Sequence, residues 1–95
     1  MHEDIKVIET YALTEHRLLC KFSDDAWKIY DITSWLDMPA FRCLVDDEIF
    51  KQVEVAYGNP TWQSLNEEIT AYDIYVDGTT ISDMKIVQEL KNLKM

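Results

Sequence analysis

The chain has 95 residues, 47% of them hydrophobic and 28% charged, with 18 acidic side chains against 9 basic ones and a formal net charge of -9. That length supports one domain with a single modest core, burying roughly 60 to 70% of the surface that the unfolded chain exposes. Two glycines, two prolines and two cysteines exclude a glycine-rich phosphate loop, a low-complexity linker and a disulfide scaffold.

Residues 5–13 mix Ile5, Val7, Ile8, Thr10 and Tyr11 with polar side chains and read as a first strand. Residues 17–23 alternate, with Leu18, Cys20 and Phe22 on one face and Leu19, Lys21 and Ser23 on the other. Asp24-Asp25 is a turn signal, since Asp tolerates the left-handed conformations that tight hairpins need. Residues 26–32 alternate again and set Trp27 and Ile29 opposite Lys28 and Tyr30. Three such strands with short connections predict an antiparallel meander.

The next segment changes character. Thr33 or Ser34 is placed to cap a short helical turn through Asp37, which Met38-Pro39 ends because the residue before proline avoids the α region. Residues 40–45 carry Phe41 and Leu44 at helical spacing. Asp46 or Asp47 is an N-cap for a second short helix with Ile49 and Phe50 facing inward. A fourth strand at residues 53–57 puts Val53, Val55 and Tyr57 on one face, Gly58-Asn59-Pro60 reads as a turn, and Thr61-Trp62-Gln63 begins a fifth strand. Ser82 caps a final helix over residues 83–93, in which Ile86, Val87, Leu90 and Leu93 form one apolar stripe. That stripe either packs on its own sheet or docks a second chain.

Several of these residues carry a resemblance. The hairpin at Ser23-Asp24-Asp25, the strand ending in Tyr30-Asp31-Ile32, then Leu36, Pro39-Ala40-Phe41, Leu44, Asp46, Phe50, Val53, Tyr57-Gly58, Thr61-Trp62, Ile69 and Asp73-Ile74-Tyr75 resemble the small bacterial proteins grouped as domain of unknown function 2442. The likeness covers residues 4–78, leaving 79–95 as a helical extension within one domain spanning 1–95. It lacks the glycine often found after the first hairpin's Asp, and residues 63–68 lack the Pro and Gly that commonly follow the tryptophan. The resemblance implies an α+β domain with antiparallel strands, often encoded beside a second small protein in arrangements like toxin-antitoxin pairs. It brings no biochemical activity with it.

Charge and chemistry narrow the functional classes. Residues 1–82 hold 6 basic and 16 acidic side chains, whereas residues 83–95 hold 3 and 2. A body so acidic repels the phosphate backbone, so no nucleic acid is expected as a partner. The longest apolar runs fall far short of the roughly 20 residues that cross a bilayer, and the charged start of the chain does not resemble a secretory leader. A cytoplasmic location and reduced thiols at Cys20 and Cys43, both read as buried hydrophobes, follow as expectations. His2 and His16 sit in no catalytic motif, and His16 reads as an exposed turn residue. The clusters Asp24-Asp25, Asp46-Asp47-Glu48 and Glu67-Glu68 lack the ligand spacing of a calcium loop and read as turns, caps and solvated faces. No enzyme activity, metal or cofactor is expected.

The aromatic residues are the remaining signal. Trp27 and Trp35 read as core or core rim. Trp62 follows the second turn, where Glu67 and Glu68 return and Tyr57, Tyr72 and Tyr75 are within reach. This cluster is either a satellite core or a partner surface. The surface reading comprises Trp62, Tyr57, Glu67, Glu68, Asp73 and Tyr75. Taken together, the sequence predicts an α+β domain: a three-stranded meander, a short helical segment, a second hairpin and a C-terminal helix packed on the sheet. Its expected role is non-catalytic recognition of another small protein with a basic surface, as the antitoxin-like member of a two-gene pair. The alternative is a small enzyme or ligand-binding domain using the acidic face near Trp62.

Overall fold

A computed structural model describes residues 4–95. In chain order the elements are strands β1 (Val7–Leu13), β2 (Arg17–Phe22) and β3 (Trp27–Asp31), two 3-10 segments (Thr33–Asp37 and Pro39–Val45), helix α1 (Asp47–Phe50), strands β4 (Glu54–Ala56) and β5 (Asn59–Thr61), helix α2 (Ala71–Asp77), strand β6 (Thr79–Ile81) and helix α3 (Met84–Asn92). The fold is α+β. One antiparallel sheet has the order β1-β2-β3-β6, and β4 and β5 make a separate hairpin.

The meander forms for the reasons that its sequence suggests. Asp25 sits at φ 71°, the left-handed position of the β2–β3 turn, while the Asp24 carboxylate accepts the Ala26 N–H at 3.0 Å. In β1 the pairing skips from Val7↔Phe22 to Glu9↔Lys21, so Ile8 is an extra residue, 48% exposed. That bulge reverses the alternation of β1 and lets Val7 and Ala12 face one side while Leu13 faces the other.

Both faces of the sheet are covered. On one lie Leu18, Cys20, Phe22 and Tyr30, packed against Phe41, Leu44, Phe50, Trp62, Ile69 and Ile74. On the other, Leu13, Leu19 and Trp27 receive Val87 of α3. Leu19 therefore belongs to a second, smaller core, although its neighbour in the alternation, Lys21, is polar.

The helical excursion is mostly 3-10, and the three-residue spacing of Phe41 and Leu44 suits three residues per turn. Neither Thr33 nor Ser34 caps the first segment. Its cap position is Ile32, and the Thr33 N–H is met from one residue further back by Oδ1 of Asp31 at 2.8 Å. Asp46 caps α1 as expected, through the Glu48 N–H at 2.9 Å. Asp83, not Ser82, caps α3 through the Lys85 N–H at 2.8 Å. On that helix Val87 is buried and Leu90 half-buried, but Ile86 and Leu93 at the edges of the stripe stay largely exposed. The middle of the stripe, Val87 and Leu90, packs on its own sheet.

Three expectations need correction. The second hairpin turns at Tyr57-Gly58 rather than at Gly58-Asn59-Pro60, because Ala56 pairs with Asn59 across a two-residue loop. Pro60 is a strand residue opposite Val55, tolerated because the bridge on the other edge of β5 involves Thr61 and Glu68 and not Pro60, so a proline N with no hydrogen can face away from β4. Trp62 lies beyond β5, so the fifth strand ends at Thr61, the residue where it was expected to begin. Finally, residues 71–81 hold a helix and a fourth sheet strand, α2 and β6, where no element was expected.

Candidate functional site

The second hairpin carries an exposed tyrosine and carboxylates without ion-pair partners among the described residues. Tyr57 (φ 55°) and Gly58 (φ 79°) form a two-residue turn with both backbones left-handed, the geometry for which Asn-Gly is the usual choice. Glycine at 58 is required twice over, because a Cβ there would also stand 2.9 Å from Cγ of Lys6. Tyrosine at 57 is the anomaly. A left-handed conformation costs a residue with a Cβ about 1 to 2 kcal/mol, yet the Tyr57 side chain is 96% exposed and recovers none of it by packing.

Beside this turn is an open depression of about 450 Å³ lined by Ala56, Tyr57, Thr61, Leu65 and residues 66–68. Thr61 and Glu68 form an isolated antiparallel bridge that fixes its wall. Asn59 braces the wall from behind, since its amide oxygen accepts the Ala71 N–H at 2.7 Å and its amide nitrogen donates to Oε1 of Glu68 at 3.1 Å. Among the described residues Glu54, Glu67 and Glu68 have no ion-pair partner. Lys21 is spent on Glu9 and Asp25, Lys51 on Glu48 and Lys91 on Glu9.

The six residues singled out from the sequence do not form one site. Tyr57, Glu67 and Glu68 share the depression. Trp62 lies beneath it, 2% exposed, its indole N–H donating to the Phe50 carbonyl at 2.8 Å and its ring stacked 6.0 Å from that of Phe50. It is a core residue and offers no ring to a partner, which corrects its place in the surface reading. Asp73 takes part in the start of α2, where its N–H donates to Oγ1 of the capping Thr70 at 3.2 Å. Tyr75 reaches the first hairpin instead. Its hydroxyl donates to Oδ2 of Asp24 at 2.6 Å, its ring meets Phe22 edge-on at 5.1 Å, and the Lys28 ammonium stands 4.4 Å from the ring centroid. Sequence reasoning missed Asn59, whose role as a brace was hidden inside an apparent turn, and Leu65 and Asn66 on the depression's wall.

Chemistry elsewhere is structural. Burial pushes the Cys20 thiol up to about 12, with a partial offset from its contact to Thr10 Oγ1 at 3.4 Å, so it is a poor nucleophile. His16 is not an exposed turn residue. Its Nε2–H donates to the Leu44 carbonyl at 2.8 Å, its ring lies 5.0 Å from Phe50, and Asp47 is 3.5 Å away. On the far face the Glu9 carboxylate accepts the Tyr11 hydroxyl at 2.5 Å, which with burial pushes that phenol up to about 12, while Lys91 and Lys94 lie over the Tyr11 ring. Among the described residues no group of three His, Cys, Asp or Glu side chains converges as metal ligands would. No helix there is long and apolar enough to cross a membrane. No family model, curated protein or solved structure matches the chain.

Proposed function

We propose that this chain is a non-catalytic protein-interaction domain that docks another small protein with a basic surface through the tyrosine-bearing, acidic end of its second hairpin. The observation that carries the reading is Tyr57, held fully exposed in a backbone conformation that disfavours it. Glu15, His16 and Asp25 share that backbone in the turns of the main sheet, whereas Tyr57 adds a large ring that nothing in the fold covers. Uncompensated carboxylates at Glu67 and Glu68 steer a basic partner, and an exposed tyrosine beside them supplies contact area once desolvated. On the resemblance carried by its strand and turn residues, the partner is the product of an adjacent gene and this chain the antitoxin-like member of the pair.

Calorimetric titration with that adjacent gene product tests the proposal. Tyr57→Ala is expected to weaken the complex by about 2 kcal/mol with an unchanged melting temperature. Reversing Glu67 and Glu68 to Lys is expected to slow association and flatten its salt dependence. An unaltered affinity in both variants, or no complex at all, overturns the reading.

A further inference from the structure

The outer edge of β1 is only partly covered. The Phe22 N–H donates to the Ala26 carbonyl at 2.9 Å, so Phe22 turns its backbone groups toward β3, and the alternate residues Lys21, Leu19 and Arg17 turn theirs toward β1. Glu9, Tyr11 and Leu13 stand opposite these three, which leaves Thr10 and Ala12 with their N–H and C=O groups pointing away from β2. Two bonds on that edge agree with the alternation. The Val7 N–H donates to the Gly58 carbonyl at 2.8 Å, and the Met95 N–H donates to the Ala12 carbonyl at 3.0 Å. Between them no described residue meets the N–H and C=O of Thr10 or the N–H of Ala12, although Ala12 is only 4% exposed. Backbone groups so placed call for a partner.

A groove of about 280 Å³ opens at this gap, with the β1 backbone as its floor. Lys51 and Val53 wall it on the side of the larger core, and Tyr11 and Lys94 wall it on the side of α3. Its lining holds no Asp or Glu, in a chain with 18 acidic side chains against 9 basic ones. Lys94 stands 5.2 Å from the Tyr11 ring centroid and pairs with no carboxylate among the described residues. Lys51 pairs with the exposed Glu48 at 2.8 Å, a surface contact of small worth.

We infer that this groove takes an acidic, extended segment of a second protein, which adds to β1 as a short strand through the N–H and C=O of Thr10 and the N–H of Ala12. Main-chain pairing supplies the attachment, and side chains select the sequence. Successive side chains of an added strand point to opposite walls, and each wall offers one lysine and one apolar surface, Lys51 with Val53 and Lys94 with Tyr11. A segment that alternates apolar and acidic residues therefore suits both walls in either orientation. The bonds to Gly58 and Met95 close the edge at its two ends and keep the added strand short. A second copy of this chain fits less well, because its β1 lies between the same walls and the other edge strand of the sheet, β6, is Thr79-Thr80-Ile81 and brings no carboxylate. The groove shares no lining residue with the depression beside Tyr57, and the inference does not rest on the docking reading above.

The test uses two capped hexapeptides, one alternating valine with glutamate and one alternating valine with lysine, titrated into the whole chain while backbone amide shifts and amide exchange are followed. The acidic peptide is expected to bind about tenfold tighter, with shifts centred on residues 10–12, 51–53 and 94–95. Exchange at Thr10 and Ala12, fast in the free chain, is expected to slow about tenfold when that peptide saturates the groove. Lys51→Gln and Lys94→Gln are each expected to weaken it about threefold. Equal binding of the two peptides, shifts located elsewhere, or none at millimolar peptide overturns the inference. Binding that leaves exchange at Thr10 and Ala12 unchanged overturns strand addition, and protection of both amides in the free chain shows an edge already paired. Shifts at these residues that depend on protein concentration without peptide make a second copy the occupant and overturn the assignment to a partner.

Discussion

Tyr75 shows how one side chain ties distant parts of this chain together. It projects from α2 onto the β2–β3 hairpin, where its hydroxyl gives Asp24 a short hydrogen bond and its ring sits between Phe22 and Lys28. That hydrogen bond is the main reason the Asp24 carboxyl is held below the usual carboxylate range, with the Ala26 N–H and Lys28 acting in the same direction against partial burial. A depressed folded-state pKa means that the bond's contribution is present above the unfolded value, about 4, and fades as pH falls through the lower folded value. Tyr75→Phe is therefore expected to lower the melting temperature at pH 7 and to lose that difference progressively below pH of about 4. Thermal melts of the two proteins from pH 7 to pH 2 check it. A difference that stays constant across that range contradicts the assignment. Solvent screening keeps the effect small, because both groups lie at the surface.

At the scale of elements, α2 is the informative case. It has only seven residues, and Tyr72, Ile74, Tyr75 and Val76 within it are types that favour strands. Only Ala71 and Ile74 are buried, a spacing too brief to display a helical period. One local signal does exist, Thr70 followed three residues later by Asp73, and the Thr70 hydroxyl duly accepts the Asp73 N–H. The helix ends where the backbone of Gly78 turns extended (φ -73°, ψ 157°), and glycine is needed there because a Cβ would stand 2.5 Å from the Ile74 carbonyl oxygen. β6 was illegible for a different reason: it is three residues long and pairs with β3 across the whole helical excursion, which no local pattern encodes. By contrast, the meander was legible because its alternation and its Asp turn are local. The candidate site was half legible. Glu67, Glu68 and Tyr57 announce themselves by type, but the burial of Trp62 depends on Phe50 arriving from a distant helix. Since α2 carries Tyr75 and leads directly into β6, its cap matters beyond the helix. Thr70→Ala is expected to cost about 1 kcal/mol in a denaturant melt, with Thr70→Ser close to the parent. No change in Thr70→Ala would show that packing alone holds α2.

For the molecule as a whole, one sheet separates two cores of unequal size. The larger contains Trp62, Phe22, Phe50 and side chains of every element after β3 except β5, β6 and α3, whereas the smaller is closed by a single fully buried residue of α3, Val87. β2 is the most completely buried strand, with Leu18, Leu19 and Cys20 all at 0% exposure and members in both cores. Stability is not uniform in such an arrangement, and segments with little buried apolar surface open before the core strands. Helix α3, held to the sheet chiefly by Val87 and Leu90, is expected to exchange its amide hydrogens well before β2. Val87→Ala should accelerate exchange in α3 while shifting the global transition little. Trp62→Ala should act on the whole molecule, because it removes a ring stacked on Phe50 and an indole hydrogen bond from the larger core, an expected loss of about 3 to 5 kcal/mol. Against a total stability of about 5 to 15 kcal/mol, that is enough to unfold a domain of this size or nearly so. Tyr57→Ala, a few residues away but fully exposed, should leave the same transition where it was. Hydrogen exchange followed residue by residue in the three variants distinguishes these outcomes. If α3 and β2 exchanged together, the two cores would have to be one cooperative unit, and the sheet between them would transmit rather than partition the loss.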